Sequence, residues 1–177
     1  MKIDVKIEGI EGLLRDLDPQ LQTKVVVSTV NELASNARAT AKRRIRSVYN
    51  IKARDIDIRI KKANRTNAYA VLTIPTARTP LIKFGARWKS YRTPIGASVM
   101  VRKGNRKKIR GAFIATMPSG HTGVYRRDGS GSLPIDELES LSVGKMFLMY
   151  EPEIQRYLNR RFEKVFFRNL SYHMRTK

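Results

Sequence analysis

The chain has 177 residues, a hydrophobic fraction of 41%, 36 Lys and Arg against 15 Asp and Glu, and no cysteine. That length suits one domain with a core of ordinary size, and the recurring aliphatic residues exclude a disordered chain. Without cysteine there are no disulfides and no thiolate-ligated metal, and a net charge of +21 directs attention to polyanionic partners.

Ile3, Val5 and Ile7 alternate with Asp4, Lys6 and Glu8, which predicts a short half-buried strand. These acidic residues stand where a signal peptide would carry an apolar run, and no later segment approaches the ~18 apolar residues of a membrane span. A soluble protein without an export signal or a membrane partner is expected. Ile10 to Leu17 predicts a short helix, with Leu13, Leu14 and Leu17 on one face. Asp18-Pro19 is a start signal, an N-cap acceptor followed by proline at the first helical position. A long helix is then expected over 18–50. Its apolar stripe is Leu21, Val25, Val30, Leu33, Ala37, Ala41, Ile45 and Val48. Arg38, Lys42 and Arg46 line a second, exposed stripe.

A helical turn is predicted from Ala53 to Ile58, then strands over Ile58–Lys62 and Tyr69–Ile74. Three prolines and two glycines between Pro75 and Ala97 predict a long excursion rather than a packed element. Ser98–Val101 and Gly111–Met117 read as strands around a basic loop, Arg102–Arg110, and another loop is expected over Pro118–Pro134. Ile154, Leu158, Phe162, Val165, Phe166 and Leu170 recur at helical spacing over 151–172. Acids at the start of this helix and arginines near its end suit the helix dipole. The expected fold is α+β: a small, mostly antiparallel sheet packed by the long N-terminal helix and the C-terminal helix, with extended loops. All of it forms a single domain, 1–177, with a basic β and loop region over 58–127.

That region is the sharpest feature of the chain. Its 70 residues hold 17 Lys and Arg and no Asp or Glu, while the other 107 carry 19 basic and 15 acidic residues. Within it, Arg102, Lys103, Arg106, Lys107, Lys108 and Arg110 form the densest cluster. They are candidate contacts to a DNA channel or to an acidic partner, since clustered cations displace condensed counterions. The competing reading is a solvated hairpin tip that resists edge-to-edge pairing. Phe84, Trp88 and Tyr91 are interleaved with Lys83, Arg87, Lys89 and Arg92. Such a loop can stack on single-stranded bases, but aromatics and arginine more readily anchor a protein interface. Phe84, Arg87, Trp88 and Tyr91, with Arg38, Lys42 and Arg46, are therefore candidate subunit contacts.

Catalysis finds little support. Ser119-Gly120-His121 is a weak signal, and no carboxylate within the basic region is available to orient the histidine. No metal-ligand spacing, phosphate-binding loop or dinucleotide fingerprint is present, so no enzyme, cofactor or metal is expected.

The run Gly111-Ala112-Phe113-Ile114-Ala115-Thr116-Met117, then Ser119-Gly120-His121, then Gly123-Val124-Tyr125-Arg126-Arg127, resembles a pattern in the phage minor tail protein Z family. Tyr49-Asn50-Ile51-Lys52-Ala53, Pro80-Leu81-Ile82, Phe84-Gly85-Ala86-Arg87, Val99 to Lys103 and Leu133-Pro134-Ile135 match in order, so the resemblance covers about 20–170. Lys83 departs from the pattern, where an acidic or neutral residue is expected. The resemblance implies a structural virion protein acting in tail completion and head–tail joining at the head-proximal end of the tail, assembled in the host cytoplasm. By analogy with other neck proteins it further implies a hexameric homo-oligomeric ring around nonspecifically contacted double-stranded DNA. The other implied partners are a tail terminator or tail tube protein and a head-neck connector. The alternative reading is a stand-alone, sequence-nonspecific nucleic-acid-binding protein.

Overall fold

The structure, a computed structural model, describes residues 1–6, 9–88, 96–129, 131 and 133–175. In chain order its elements are β1 (Lys2–Val5), α1 (Glu11–Leu14), α2 (Pro19–Val48), a 3-10 turn (Ala53–Asp55), β2 (Arg59–Lys61) and β3 (Ala70–Thr73). There follow β4 (Thr79–Pro80), a second 3-10 turn (Leu81–Phe84), β5 (Arg87–Trp88), β6 (Ala97–Arg102), β7 (Asn105–Ile109), β8 (Ala112–Thr116) and β9 (Thr122–Arg127). The chain closes with β10 (Ile135–Glu137), β11 (Glu139–Ser140), α3 (Val143–Leu148) and α4 (Glu151–Arg175). The α+β class is as expected. Instead of one small sheet, however, the described strands form four antiparallel ones, ordered β1-β3-β2, β10-β9-β8, β11-β4 and β5-β6-β7. The chain also divides into two compact units. Met1–Ala41, Ile58–Pro75 and Phe147–Lys177 make the first, and Lys42–Asp57 with Thr76–Met146 make the second.

In the first unit α2 begins as its sequence dictates. Asp18 Oδ2 accepts the Leu21 N–H at 3.1 Å, and Pro19 occupies a position whose N–H would have no helical partner. Leu21, Val25, Val30, Leu33, Ala37 and Ala41 are all buried, so the three-and-four spacing is the core stripe. One end of the stripe meets α4 and the segment around α1. Ile10, Leu21, Val25 and Phe166 form a cluster flanked by Leu14, Leu17, Phe162 and Leu170. The other meets the sheet, where Val30, Ala34, Ala63 and Ala70 pack with Val5 and Ile60. Burying each large aliphatic or aromatic side chain of this kind contributes about 1.5–3 kcal/mol. Polar groups pin the same seams. The Asn31 side chain donates to the Ala63 carbonyl at 3.0 Å and accepts its N–H at 2.7 Å. Glu32 pairs with Arg168 of α4, and Ser28 Oγ lies 2.8 Å from His173 Nε2.

In the second unit three expectations change. The excursion after Pro75 is packed in its first half. Thr79, Leu81 and Phe84 are buried, and Asn50 Nδ2 donates to the Phe84 carbonyl at 3.1 Å. Gly85, at φ +63, supplies the left-handed turn that ends this segment, which a side-chain-bearing residue rarely adopts. The basic loop Arg102–Arg110 is mostly strand. Arg102 pairs with Asn105 around Lys103-Gly104, and β7 returns along β6 to Ala97↔Ile109, with a register shift between Val99 and Arg102. The loop over Pro118–Pro134 contains β9, which pairs with β8 from Ala112↔Arg126 to Thr116↔Thr122. Met117–His121 forms the hairpin turn, closed by hydrogen bonds of 2.8 Å from the Met117 N–H to the His121 carbonyl and from the Gly120 N–H to the Met117 carbonyl.

Candidate interaction surface

The second unit carries 20 Lys and Arg against 6 Asp and Glu, and the first 16 against 9. Two thirds of the net charge, +14, thus sits in one unit. The acid-free region is divided between the two units. Ile58–Pro75 builds β2 and β3 of the first unit, and only the part from Thr76 onward belongs to the second.

The β6–β7 hairpin is the centre of this charge, and it is fixed to the C-terminal end of α2. The Lys103 N–H donates to the Val48 carbonyl at 2.8 Å, the Asn50 N–H to the Val101 carbonyl at 3.0 Å, and the Arg102 guanidinium lies 5.9 Å from the centre of the Tyr49 ring. The carbonyl end of a helix favours cations, so Arg102 and Lys103 suit the place they occupy. Arg102, Lys103, Arg106, Lys107, Lys108 and Arg110 are all exposed; Arg102, Arg106, Lys107 and Lys108 lie on the strand pair, while Lys103 and Arg110 stand in the turns that follow β6 and β7. Arg106 turns back onto the unit, donating to the Ser98 carbonyl at 3.1 Å and Ser98 Oγ at 3.3 Å.

Arg102, Lys107, Lys108 and Arg110 open onto a cavity of about 640 Å³. Leu81, Val99, Val101 and Ile109 give it an apolar floor, and Arg102, Lys107, Lys108, Arg110 and Arg126 surround that floor. No carboxylate lines the cavity, and among the described residues none lies within ion-pair distance of these five cations. Sequence reasoning singled out four of the five. Arg126 arrives through strand pairing of β9, and the apolar floor through alternation on β6 and β7. A cavity of about 440 Å³ in the first unit differs in kind: Ile3, Leu33, Leu72, Ile154 and Phe162 line it together with Asp4, Lys6 and Glu151, so it has no dominant sign of charge.

The segment that carries the family resemblance is the β8–β9 hairpin. Gly111, at φ +74, and Gly120, at φ +81, stand at its turns. Ala112, Val124 and Tyr125 are buried, while Phe113, Ile114, Ala115 and Met117 are half-buried. Ser119 is exposed at the turn, and Arg127 stacks over Phe113 at 5.1 Å. His121 does find a carboxylate, from outside the basic region: Glu137 Oε1 of β10 is 2.8 Å from its Nε2. Gly123 makes room for this, because a Cβ there would stand 2.6 Å from Glu137 Oε1 and 2.9 Å from the Tyr125 hydroxyl. Burial pushes the Tyr125 phenol above its ordinary range, and the Glu137 charge adds to the shift. Among the described residues no hydroxyl reaches His121, and no three His, Asp or Glu side chains are grouped as metal ligands.

The candidate subunit contacts fare unequally. Phe84 is a correction: it is fully buried within its own unit and has no surface to offer another chain. Arg87 and Trp88 are exposed on β5, Trp88 by 48%. Arg38 and Arg46 are exposed on α2, and Lys42 is half-buried, with its Nζ 3.4 Å from the Ala53 carbonyl. Tyr91 lies outside the described residues. Lys83, the departure from the family pattern, is 3.9 Å from Asp55 Oδ1.

Compared with known families, residues 7–177 match the model of the prophage minor tail protein Z (GPZ). No curated protein and no solved structure matches the chain.

Proposed function

Because the chain belongs to the prophage minor tail protein Z family, and is therefore a structural component of a phage tail, we propose that it completes the tail at its head-proximal end and makes it competent to join the head. In this reading copies of the chain form a closed ring around the DNA channel, between a tail terminator or tube protein and a head-neck connector. The supporting observation is the concentration of +14 in one unit. Cations concentrated this way attract phosphates without reading bases, which suits a duplex that must pass rather than be recognised.

The test is a joining assay. Tails made without this chain should reach full length yet fail to join filled heads, and purified full-length protein should restore infectious particles. A gold-labelled chain should appear at the head-proximal end of the tail. Tails that join heads equally well without the chain, together with tight duplex binding by the isolated monomer, would instead establish a stand-alone nucleic-acid-binding protein.

A further inference from the structure

The cavity over the β6–β7 hairpin needs an occupant that is both acidic and apolar. A nucleic acid backbone satisfies five cations but places nothing on the floor of Leu81, Val99, Val101 and Ile109. The chain itself carries a complementary segment. The 17 residues 128–144 hold Asp128, Asp136, Glu137 and Glu139 and no Lys or Arg. Within them β10 is an edge strand, so among the described residues one side of its backbone has no neighbour in its sheet. Asp136 and Glu139 are exposed, and Leu133 is 73% exposed. Glu137 is already held by His121. Two exposed carboxylates, neither in an ion pair among the described residues, and a bare leucine thus lie within seven residues, matching a cationic rim around an apolar floor.

We propose that the cavity of one copy receives the Leu133–Glu139 segment of a second copy, with Leu133 on the floor and Asp136 and Glu139 among Arg102, Lys107 and Arg110. In one copy the two patches adjoin, since Asp136 stands opposite Arg126 and the Leu138 carbonyl accepts the Leu81 N–H at 2.9 Å. When each copy gives its segment to one neighbour and receives that of another, the contact propagates from copy to copy until the ring closes. The inference rests on the ring reading above and gives that ring its interface. It also lets the acid-rich segment of each copy neutralise cations of its neighbour, which lowers the self-repulsion of a chain carrying +21.

The test uses the full chain and charge reversal at exposed positions. Association is read by sedimentation velocity at low salt, and folding by thermal melting. Lys107→Glu and Glu139→Lys should each weaken self-association about tenfold or more without lowering the melting temperature, since like charges then face each other across the contact. The double variant should recover most of the loss, and high salt should weaken the wild type and the double variant alike, because both hold the charge pair. Leu133→Ser should also weaken association, which a purely electrostatic contact would not predict.

A wild type that stays monomeric at low salt overturns the proposal. So does association that both single reversals leave unchanged; in that case the ring reading survives, judged by the joining assay, and only this interface falls. If Lys107→Glu instead weakens binding of a labelled duplex while self-association is unaffected, the cavity is a DNA surface and the proposal fails.

Discussion

Asn31 and Asn36 stand five positions apart on one helix, and the structure assigns them opposite effects. The Asn31 carboxamide satisfies both backbone groups of Ala63, which is 5% exposed, and the Ala63 N–H fixes which end of the amide is oxygen. Asn31→Ala orphans a donor and an acceptor where water has little access. At about 1–3 kcal/mol for each unsatisfied group, less roughly 0.5 kcal/mol regained in helix propensity, the net loss is about 2–5 kcal/mol. For a chain of this size that lowers the melting temperature by about 5–15 °C. By contrast, the Asn36 Nδ2 is buried without a hydrogen-bond partner. Asn36→Ala removes that desolvated donor and improves helix propensity, so its melting temperature should stay level or rise. Differential scanning calorimetry on the two variants decides the matter. Equal destabilisation by both, or a neutral Asn31→Ala, would refute the reasoning that satisfaction of the Ala63 backbone, rather than side-chain bulk, is what Asn31 supplies.

Gly96→Ala should disrupt the β6–β7 pair, because a Cβ there would stand 2.1 Å from the Ile109 carbonyl oxygen at a φ of +90; loss of soluble protein or of the cooperative melt is the expected readout. Phe166→Ala should cost about 3–5 kcal/mol by denaturant titration, since Phe166 is fully buried where α4 meets Val25. The raised phenol of Tyr125 implies stability that is complete below the ordinary tyrosine range and falls as pH rises above about 10 toward the folded value. Melting temperatures followed into alkali should therefore drop less steeply for Tyr125→Phe than for the wild type, and parallel curves would count against that account.

The sequence by itself determined the two long helices, the class and the family. Asp18-Pro19 and the recurring positions from Leu21 to Ala41 mark α2 because a cap and a 3.6-residue stripe are local properties, and each was found where its chemistry requires. The Gly111–Arg127 run carried the family because its glycines, turn and strands are contiguous. The division into units was not legible, since its first boundary falls between Ala41 and Lys42, inside a continuous helix with no punctuation.

Tertiary structure also decided what the acid-free run means. Its charge is a sum along the chain, but its first part enters one unit's sheet and the rest the other. Strand pairing then set Arg126 beside the β6–β7 cations and brought Glu137 to His121 across 16 residues. It likewise took Phe84 out of any interface by burying it. Composition reports how much charge a segment holds. Which cations share a cavity, and what apolar floor they share, depends on register and on contacts distant in sequence, which no local pattern encodes.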